Sequence, residues 1–312
     1  MKVYLGLDTS CYTASLAAVN EAGQVIFDGR MPLAVPPGQR GLRQSEALFQ
    51  HLRQLGALAE RWRATLPGQV LALAAASTRP RPVAGSYLPV FLAGATVGQA
   101  MAAGADVPFF GTSHQEGHLR AALYGADNPP VEFLAVHLSG GTSEALRAAY
   151  TPSGFALELL GGTEDLHAGQ FIDRLGVAMG LPFPAGAAFE ELAKDGRPEA
   201  IRLPVAVRGL RFSLSGPLSA AERALRSGIG RADLAAAALD CLAESIGSLL
   251  KAAISQTGLA DIVLGGGVCA NQRLREGLVR YLPHARLIFA RPELATDNAV
   301  GVALLGRDYQ QN

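Results

Sequence analysis

Two histidines, His114 and His118, stand four residues apart in the segment 111–118, which reads Gly-Thr-Ser-His-Gln-Glu-Gly-His. The segment follows the apolar run 107–110. If it is helical, positions i and i+4 lie on one face, so both imidazoles can bind one metal ion. A polar helix face in contact with solvent explains the same spacing, so this motif needs a further ligand from elsewhere in the chain.

Glu116 lies between the two histidines and could suggest a protease base. In zinc proteases with an H-E-x-x-H motif, however, the glutamate directly follows the first histidine. Glu116 comes two residues after His114 and points toward another side of a helix. We therefore expect a carboxylate on the surface or behind the metal ligands, and no peptidase activity.

The composition indicates an intracellular globular protein. A chain of 312 residues, 49% of them hydrophobic, can bury two cores. The formal net charge is zero, so a nucleic-acid partner would need a local basic patch or a helper subunit. Cys11, Cys241 and Cys269 are few and widely spaced, which predicts a reducing cytoplasm without disulfides. The uncharged stretch 82–105 is rich in glycine and alanine, which favours a buried helix over a membrane span.

The pattern of apolar runs predicts two α/β halves that begin with the same rhythm of strands. In the first half we expect a helix capped by Ser45, a helix over 90–103, and strands over 3–9, 14–19, 24–27, 70–76 and 107–110. In the second half we expect strands over 133–138, 144–149, 157–160, 262–264 and 286–290. The helices expected there cover 168–179, 186–193, 217–226, 231–255, a segment from 271, and 296–305.

Small polar residues follow several of these strands. Asp8 begins the turn Asp-Thr-Ser, the segment 139–143 reads Ser-Gly-Gly-Thr-Ser, and 265–267 is a run of three glycines. Backbone amides of a glycine-rich turn can approach a phosphate closely, although a tight turn without a ligand is the alternative. Asp8 can equally be an acid of the active site or the cap of its own turn.

Six segments match motifs of one protein family in the same order over nearly the whole chain. They are 6–11 (family motif G-I-E-T-S-C), 113–118 (N-H-x-E-G-H), 138–142 (V-S-G-G-H), 212–216 (F-S-F-S-G), 265–271 (A-G-G-V-x-A-N) and 290–298 (P-x-E-x-x-T-D-N). The chain thus resembles the TsaD family, the universal tRNA threonylcarbamoyltransferase subunit, formerly named O-sialoglycoprotein endopeptidase or glycoprotease.

The resemblance implies an α/β fold of two RNase H-like domains, in the actin-like and Hsp70-like ATPase superfold, with an interdomain cleft. The expected N-terminal domain covers residues 1–107, and the expected C-terminal domain covers 108–293. The last helix, about 294–312, is expected to pack back on the N-terminal domain.

The resemblance also implies a reaction, in which a threonylcarbamoyl or related carbamoyl group passes from an adenylate to the exocyclic amine of an adenosine in tRNA. His114, His118 and Asp297 would bind one divalent metal ion, iron or zinc, with positions left open for a substrate oxygen. Asp8 is a candidate catalytic residue. The implied partners are tRNA and the other subunits of a threonylcarbamoylation complex, or a second copy of the chain, in the cytoplasm.

The resemblance places an adenine nucleotide or threonylcarbamoyl adenylate in the second half of the chain. One group of residues would contact its phosphate or threonylcarbamoyl part: Leu138, Ser139, Gly140, Gly141 and Thr142. A second group would hold the adenosine part: Asp173, Gly186 and Asn271. A carboxylate such as that of Asp173 can accept hydrogen bonds from ribose hydroxyls.

The chain departs from the family motifs at several of these positions. Tyr12 and Thr13 replace two acidic residues, and Thr142 replaces a histidine. The family's T-R-G-P-G loop reads Thr-Arg-Pro-Arg-Pro at 78–82, which offers fewer free amides. Segment 164–174 lacks one acid and a glutamate, and the lysine after F-S-F-S-G is absent. These differences leave open a paralogue that binds nucleotide as a non-catalytic partner, or one that uses another donor or acceptor.

A small-molecule kinase is a further alternative on the same superfold. Such kinases place an acidic residue at the start of the second phosphate turn, in a D-x-G-G-T motif. Leu138 occupies that position here. Without a carboxylate to position Mg²⁺ or to deprotonate the acceptor, the kinase reading is disfavoured.

Overall fold

The computed structural model describes residues 1–10, 12–36 and 42–311. Its strands are β1 (Lys2–Asp8), β2 (Thr13–Asn20), β3 (Val25–Pro32), β4 (Val70–Arg79), β5 (Phe109–Ser113), β6 (Glu132–Leu138), β7 (Ser143–Thr151), β8 (Gly154–Thr163), β9 (Ala206–Arg208), β10 (Arg211–Ser213), β11 (Asp261–Gly265) and β12 (Arg286–Phe289). Its helices are α1 (Gln44–Thr65), α2 (Phe91–Gly104), α3 (His114–Ala122), α4 (Ala168–Ala178), α5 (Gly186–Ala193), α6 (Ser215–Arg226), α7 (Arg231–Thr257), α8 (Gln272–Tyr281) and α9 (Val300–Gln311).

The chain folds into two compact units. Unit 1 comprises Met1–Gly125, Tyr150–Ala156 and the C-terminal segment from Thr296. Unit 2 comprises Ala126–Ala149 and Leu157–Ala295. This division differs from the expected boundary between residues 107 and 108. Residues 108–125 belong to unit 1 because β5 pairs in parallel with β4, and α3 packs on α9.

Unit 1 is built on a five-stranded sheet in the order β3-β2-β1-β4-β5. The first three strands pair antiparallel, and β1, β4 and β5 run parallel. Leu55 and Leu58 of α1 lie three residues apart on one helix face and are fully buried against the sheet. The expected cap by Ser45 is wrong, because α1 begins at Gln44 after Arg43, which makes no side-chain cap.

The parallel strands of unit 1 end together at one edge of the sheet. Asp8 is the last residue of β1, Ser77 lies near the end of β4, and His114 directly follows β5. Ligands of α/β sheets bind at the carboxyl ends of such strands. The topology therefore gathers these side chains from distant parts of the sequence.

Unit 2 is built on a seven-stranded sheet in the order β12-β11-β6-β7-β8-β10-β9. β6, β11 and β12 run parallel, whereas β6–β7 and β9–β10 are antiparallel pairs. The long helix α7 buries alanine and leucine around most of its circumference, as expected for a central helix. The β9–β10 hairpin was not predicted, since strands of three residues are too short to show an alternating pattern.

The described residues form no helix that is both long and apolar enough to span a membrane. The uncharged stretch 82–105 supplies the 14-residue helix α2. Cys241 and Cys269 are buried free thiols, and Cys11 lies outside the described residues.

Candidate metal centre and ligand turn

Three potential metal ligands converge in unit 1. The Nε2 atoms of His114 and His118 are 3.1 Å apart. Oδ1 of Asp297 lies 3.3 Å from Nε2 of His118 and 3.7 Å from Nε2 of His114. Among the residues that the structure describes, this is the one group of three or more histidine, cysteine or acidic side chains with the spacing of a metal site.

The donor set fits a first-row divalent ion. Donors that each lie about 2.0–2.2 Å from one ion are separated from one another by about 3–3.5 Å, close to the distances found here. Two neutral imidazoles and one carboxylate suit zinc or non-haem iron and leave coordination positions for a substrate oxygen. The same three side chains could not form a closed structural zinc site, which requires four protein ligands.

Asp8 lies directly behind His114. Its Oδ1 is 3.1 Å from Nδ1 of His114, the ring nitrogen that is turned away from His118. The carboxylate also accepts hydrogen bonds from the hydroxyls of Ser10, at 2.5 Å, and Ser77. A carboxylate bonded to one nitrogen of a histidine orients the other nitrogen toward a metal. Asp8 therefore orients His114, one of the three candidate metal ligands.

Asp8 is buried and His114 is partly buried, and the two side chains carry opposite charges when His114 is protonated. Burial would raise the pKa of Asp8, but the charge of His114 and hydrogen bonds from His114, Ser10 and Ser77 lower it well below its usual range. Burial would likewise lower the pKa of His114, but the charge and hydrogen bond of Asp8, with a contribution from Asp297, raise it to about 9. A metal ion that bound here would therefore have to displace a proton from His114.

Glu116 holds the start of α3 in place. Its Oε2 accepts from the backbone N–H and hydroxyl of Ser113 at 3.0 and 2.6 Å, and the Ser113 hydroxyl accepts from the Glu116 N–H at 3.2 Å. This reciprocal capping box stabilises the first turn of the helix. Oε1 accepts from the N–H of Phe155 at 3.3 Å. Glu116 is thus buried behind the ligands rather than on the surface.

Asp297 is positioned by the residue that follows it and by close helix packing. Oδ1 of Asn298 accepts from the N–H of Val300 at 3.0 Å and caps α9. The helix expected to start at 296 therefore starts at Val300. A Cβ at Gly301 would lie 1.8 Å from the carbonyl oxygen of Gly117, so α9 and α3 touch through their backbones. This contact brings Asp297 to the two histidines.

In unit 2, the segment Leu138–Thr142 forms a tight turn after β6. The N–H of Ser139 donates to the carbonyl of Thr142 at 2.8 Å, and the Ser139 hydroxyl accepts from the N–H of Thr142 at 3.1 Å. Neither Gly140 nor Gly141 has a positive φ, and a Cβ at either would meet no atom within 4 Å. The folded chain alone therefore does not require glycine at these two positions.

Two other glycines allow neighbouring backbone to pack closely against this turn. A Cβ at Gly169 of α4 would lie 2.7 Å from the backbone nitrogen of Gly140. A Cβ at Gly266, whose φ is +93°, would lie 2.3 Å from the carbonyl oxygen of Leu138. The end of β11 and the start of α4 therefore pack directly against the turn.

The residues expected to hold adenosine lie on elements linked by hydrogen bonds. Oδ1 of Asp173 accepts from the N–H of Ala185 at 2.7 Å, next to Gly186. Burial raises the pKa of Asp173, although the Ala185 hydrogen bond opposes this shift. Asn271 caps α8 through Oδ1, which accepts from the N–H of Leu274 at 2.9 Å. Its Nδ2 remains a suitable donor to a ligand.

Sequence reasoning missed the residues that position these ligands. Ser77 is separated from Asp8 by 69 residues, and its hydroxyl carries no recognisable pattern. Gly117 and Gly301 are required by packing between two helices, which no local spacing reveals. The glycine inside the H-x-E-G-H motif was the available signal, because a glycine within a helix indicates a close contact.

The fold resembles several solved structures at low sequence identity. The activator of the 2-hydroxyisocaproyl-CoA dehydratase from Clostridium difficile, with bound ADPNP, matches with a TM-score of 0.54 and 13% identity over 99% of this chain and 96% of that chain. Component A of the (R)-2-hydroxyglutaryl-CoA dehydratase of Acidaminococcus fermentans matches with a TM-score of 0.58 and 15% identity, over 100% of both chains. HypF of T. kodakarensis matches with a TM-score of 0.61 and 14% identity, over 99% of this chain and 48% of that chain. The predicted α/β fold of the actin-like ATPase superfold is confirmed.

The family is shown by the sequence itself. The family model described as TsaD, tRNA N6-adenosine threonylcarbamoyltransferase, matches residues 81–304. This range is more than two thirds of the chain and contains the histidine pair, the Ser-Gly-Gly turn and Asp297. The chain therefore belongs to the TsaD family of tRNA N6-adenosine threonylcarbamoyltransferases.

Proposed function

We propose that the chain transfers a threonylcarbamoyl group from an adenylate to the exocyclic amine of an adenosine in tRNA, with one divalent metal ion, iron or zinc. Family membership supports carbamoyl transfer as the reaction class. The observation that carries the metal-dependent form is the convergence of His114, His118 and Asp297. A family member that had lost catalysis would have no physical need to keep these three donors together.

The residues of unit 1 prepare the donor set. Asp8 accepts a hydrogen bond from Nδ1–H of His114 and leaves Nε2 to face His118 and Asp297. Glu116 fixes the first turn of α3, so both imidazoles are held on a preorganised helix. A bound ion would polarise the carbonyl of the threonylcarbamoyl group and lower the barrier to attack by the amine.

The residues of unit 2 would hold the adenylate. The N–H groups of Ser139, Gly141 and Thr142 donate within the turn, so the exposed backbone N–H of Gly140 would bind its phosphate, where Gly140 and Gly141 leave the approach open. The Asp173 carboxylate would accept from ribose hydroxyls, and Nδ2 of Asn271 would donate to the nucleoside. The likeness to a structure described with bound ADPNP supports a nucleotide in this fold.

Direct transfer needs no protein nucleophile. Burial raises the pKa of Cys269 to about 12, although the charge of Arg275 opposes this shift, and burial raises the pKa of Cys241 to about 11. Both thiols therefore stay protonated and poorly nucleophilic at neutral pH. The acceptor amine itself would attack the carbonyl carbon, the bond from that carbon to the phosphate oxygen would break with release of AMP, and the amine would lose one proton to solvent. Positioning of the two substrates would supply most of the rate.

We also propose that the chain works in the cytoplasm with partner subunits or as a homodimer. Phe49 and Leu52 of α1 and Leu92 of α2 expose apolar side chains in unit 1. α1 and α2 pack on each other, so these side chains belong to neighbouring helices. Exposed aromatic and aliphatic side chains are typical of surfaces that other chains cover.

The test combines metal content with tRNA modification. Purified wild-type protein is expected to carry about one iron or zinc per chain, as a three-ligand site predicts. The His118→Ala variant is expected to lose the metal and the modification of unmodified tRNA supplied with threonylcarbamoyl adenylate. Replacement of the exposed His284 by alanine is the matched control and should change neither measurement.

Two outcomes would contradict the proposal. A wild-type protein that retains no iron or zinc would favour a non-catalytic partner that binds nucleotide. A metal-loaded protein that leaves the tRNA nucleosides unchanged in mass spectrometry would instead indicate another acceptor. The departures at Tyr12, Thr13 and Thr142 make this second outcome the one to examine first.

A further inference from the structure

The β9–β10 hairpin of unit 2 displays two arginines side by side. Arg208 and Arg211 are directly opposite each other in the antiparallel register, and both are exposed. Directly opposite residues place their side chains on the same face, with Cβ atoms about 4.5–5.5 Å apart. Two like charges at this distance repel each other and oppose formation of the hairpin. The stability of the hairpin therefore does not explain this pair.

No carboxylate neutralises the pair within the described part of the chain, where neither guanidinium lies within 4.0 Å of an acidic oxygen. Residues 201–214 contain three arginines and no acidic residue, although the whole chain has a net charge of zero. The third, Arg202, lies 3.6 Å from Glu244, and its side chain is 86% exposed. Such an exposed ion pair is weak. The hairpin itself thus carries only positive charge, although the Asp165 carboxylate adjoins the end of β10, where it accepts from the hydroxyl of Ser213.

The backbone that carries the pair is held firmly. Gly209, with a φ of +57°, and Leu210 form the two-residue turn between the strands. The carbonyl oxygen of Leu210 accepts from the N–H of Gly162 at 3.0 Å. A Cβ at Gly161 would lie 1.9 Å from the same oxygen, so the turn and β8 are in backbone contact. Side chains presented from a fixed backbone lose less conformational entropy on binding.

We propose that Arg208 and Arg211 bind the phosphate backbone of the RNA acceptor. This inference rests on the proposed function, which requires an RNA substrate. A neutral protein can attract a polyanion only through a local patch. The planar guanidinium group donates two parallel hydrogen bonds to a phosphate, and two neighbouring guanidinium groups can bridge consecutive phosphates. Binding of a phosphate would also relieve the repulsion between the arginines.

The test is a titration of fluorescent unmodified tRNA with the full chain at several salt concentrations. The double variant Arg208→Glu/Arg211→Glu is expected to bind about tenfold more weakly near about 0.1 M salt. The slope of log Kd against log salt concentration should fall by about two, because two phosphate contacts are lost. The Arg208→Lys/Arg211→Lys variant keeps both charges and should keep the wild-type slope.

The matched control is Arg223→Glu/Arg226→Glu, which makes the same charge change on exposed residues of α6 in the same unit. Thermal melting followed by circular dichroism is the check that each variant is folded. Equal weakening by the control, or a wild-type slope in the hairpin variant, would overturn the assignment of the hairpin. If wild-type protein modifies tRNA but the hairpin variant binds it normally, only this inference fails. If wild-type protein does not bind tRNA, the proposed acceptor fails with it.

Discussion

Oδ1 of Asp8 lies 3.1 Å from Nδ1 of His114, so that Nε2 of the same ring faces His118 and Asp297. The buried carboxylate is itself kept charged by hydrogen bonds from Ser10 and Ser77. By favouring a proton on His114, Asp8 raises the stability of the folded chain without metal. It would also lower the affinity for a metal ion, because the ion would have to compete with that proton.

The pH dependence of stability tests this role of Asp8. Because the folded-state pKa of His114 is raised to about 9, its stabilising contribution is complete below about 6.5 and is lost as pH rises through about 9. The rise in Tm produced by zinc should therefore grow between these pH values, as the displaced proton becomes easier to remove. We expect Asp8→Asn to abolish this growth and to weaken zinc binding by about 10- to 100-fold.

The measurement is thermal unfolding with zinc and with a chelator across this pH range. The control Asp195→Asn changes an exposed carboxylate and should keep the wild-type profile. If Asp8→Asn and the wild-type protein show the same dependence of the zinc effect on pH, Asp8 does not govern the proton of His114.

At the scale of elements, the geometry of the candidate metal ligands depends on two close backbone contacts at the start of α9. A Cβ at Gly6 of β1 would lie 2.4 Å from the carbonyl oxygen of Ala299, and Gly117 and Gly301 bring α3 and α9 together. Helices whose backbones touch have no room for even one methyl group. The distance between Asp297 and the histidines thus depends on glycines that supply no metal donor themselves.

The Gly301→Ala variant should separate packing from ligand chemistry. The added methyl group collides with α3, so we expect a loss of about 1–3 kcal/mol in the free energy of unfolding. The shift of α9 should also lower the zinc content, although all three ligands remain. Gly56→Ala, in α1 where a Cβ would meet no atom within 4 Å, is the control and should stabilise the chain by about 0.5–1 kcal/mol. Urea unfolding and metal analysis measure both effects, and a normal zinc content in Gly301→Ala would contradict this account.

Elements with long periodic patterns were predictable from the sequence, and most of their supporting contacts were not. Apart from β9 and β10, the strands of both sheets follow from apolar spacing, as do the helices α4 to α7. The β9–β10 hairpin is too short to show a pattern, and β5 with α3 joins unit 1 through pairing with a distant strand. The H-x-x-x-H pair could be found because its spacing is local. The dependence of the position of Asp297 on Gly301 could not be predicted, because it arises from the packing of α9 against α3.

On the scale of the whole molecule, the residues proposed to bind the metal and those proposed to bind the adenylate belong to different units. The candidate metal donors and Asp8 lie in unit 1, whereas the Ser139–Thr142 turn, Asp173 and Asn271 lie in unit 2. Unit 1 is assembled from three separate segments of the chain, so the proposed metal site needs the C-terminal segment that carries Asp297. Each unit has its own sheet, and the buried cluster that includes Phe171 and Leu242 lies in unit 2.

Hydrogen exchange should therefore report metal and nucleotide in separate parts of the chain. Binding reduces local opening, so amides near a bound ligand exchange more slowly. We expect zinc to protect α3 and the segment 296–301, whereas AMP or ATP should protect 138–142, 168–173 and 271–274. The His118→Ala variant should lose the zinc effect and keep the nucleotide effect, because its substitution lies in unit 1. Nucleotide protection confined to unit 1, or absent from the Ser-Gly-Gly turn, would show that the adenylate is held by residues other than those proposed.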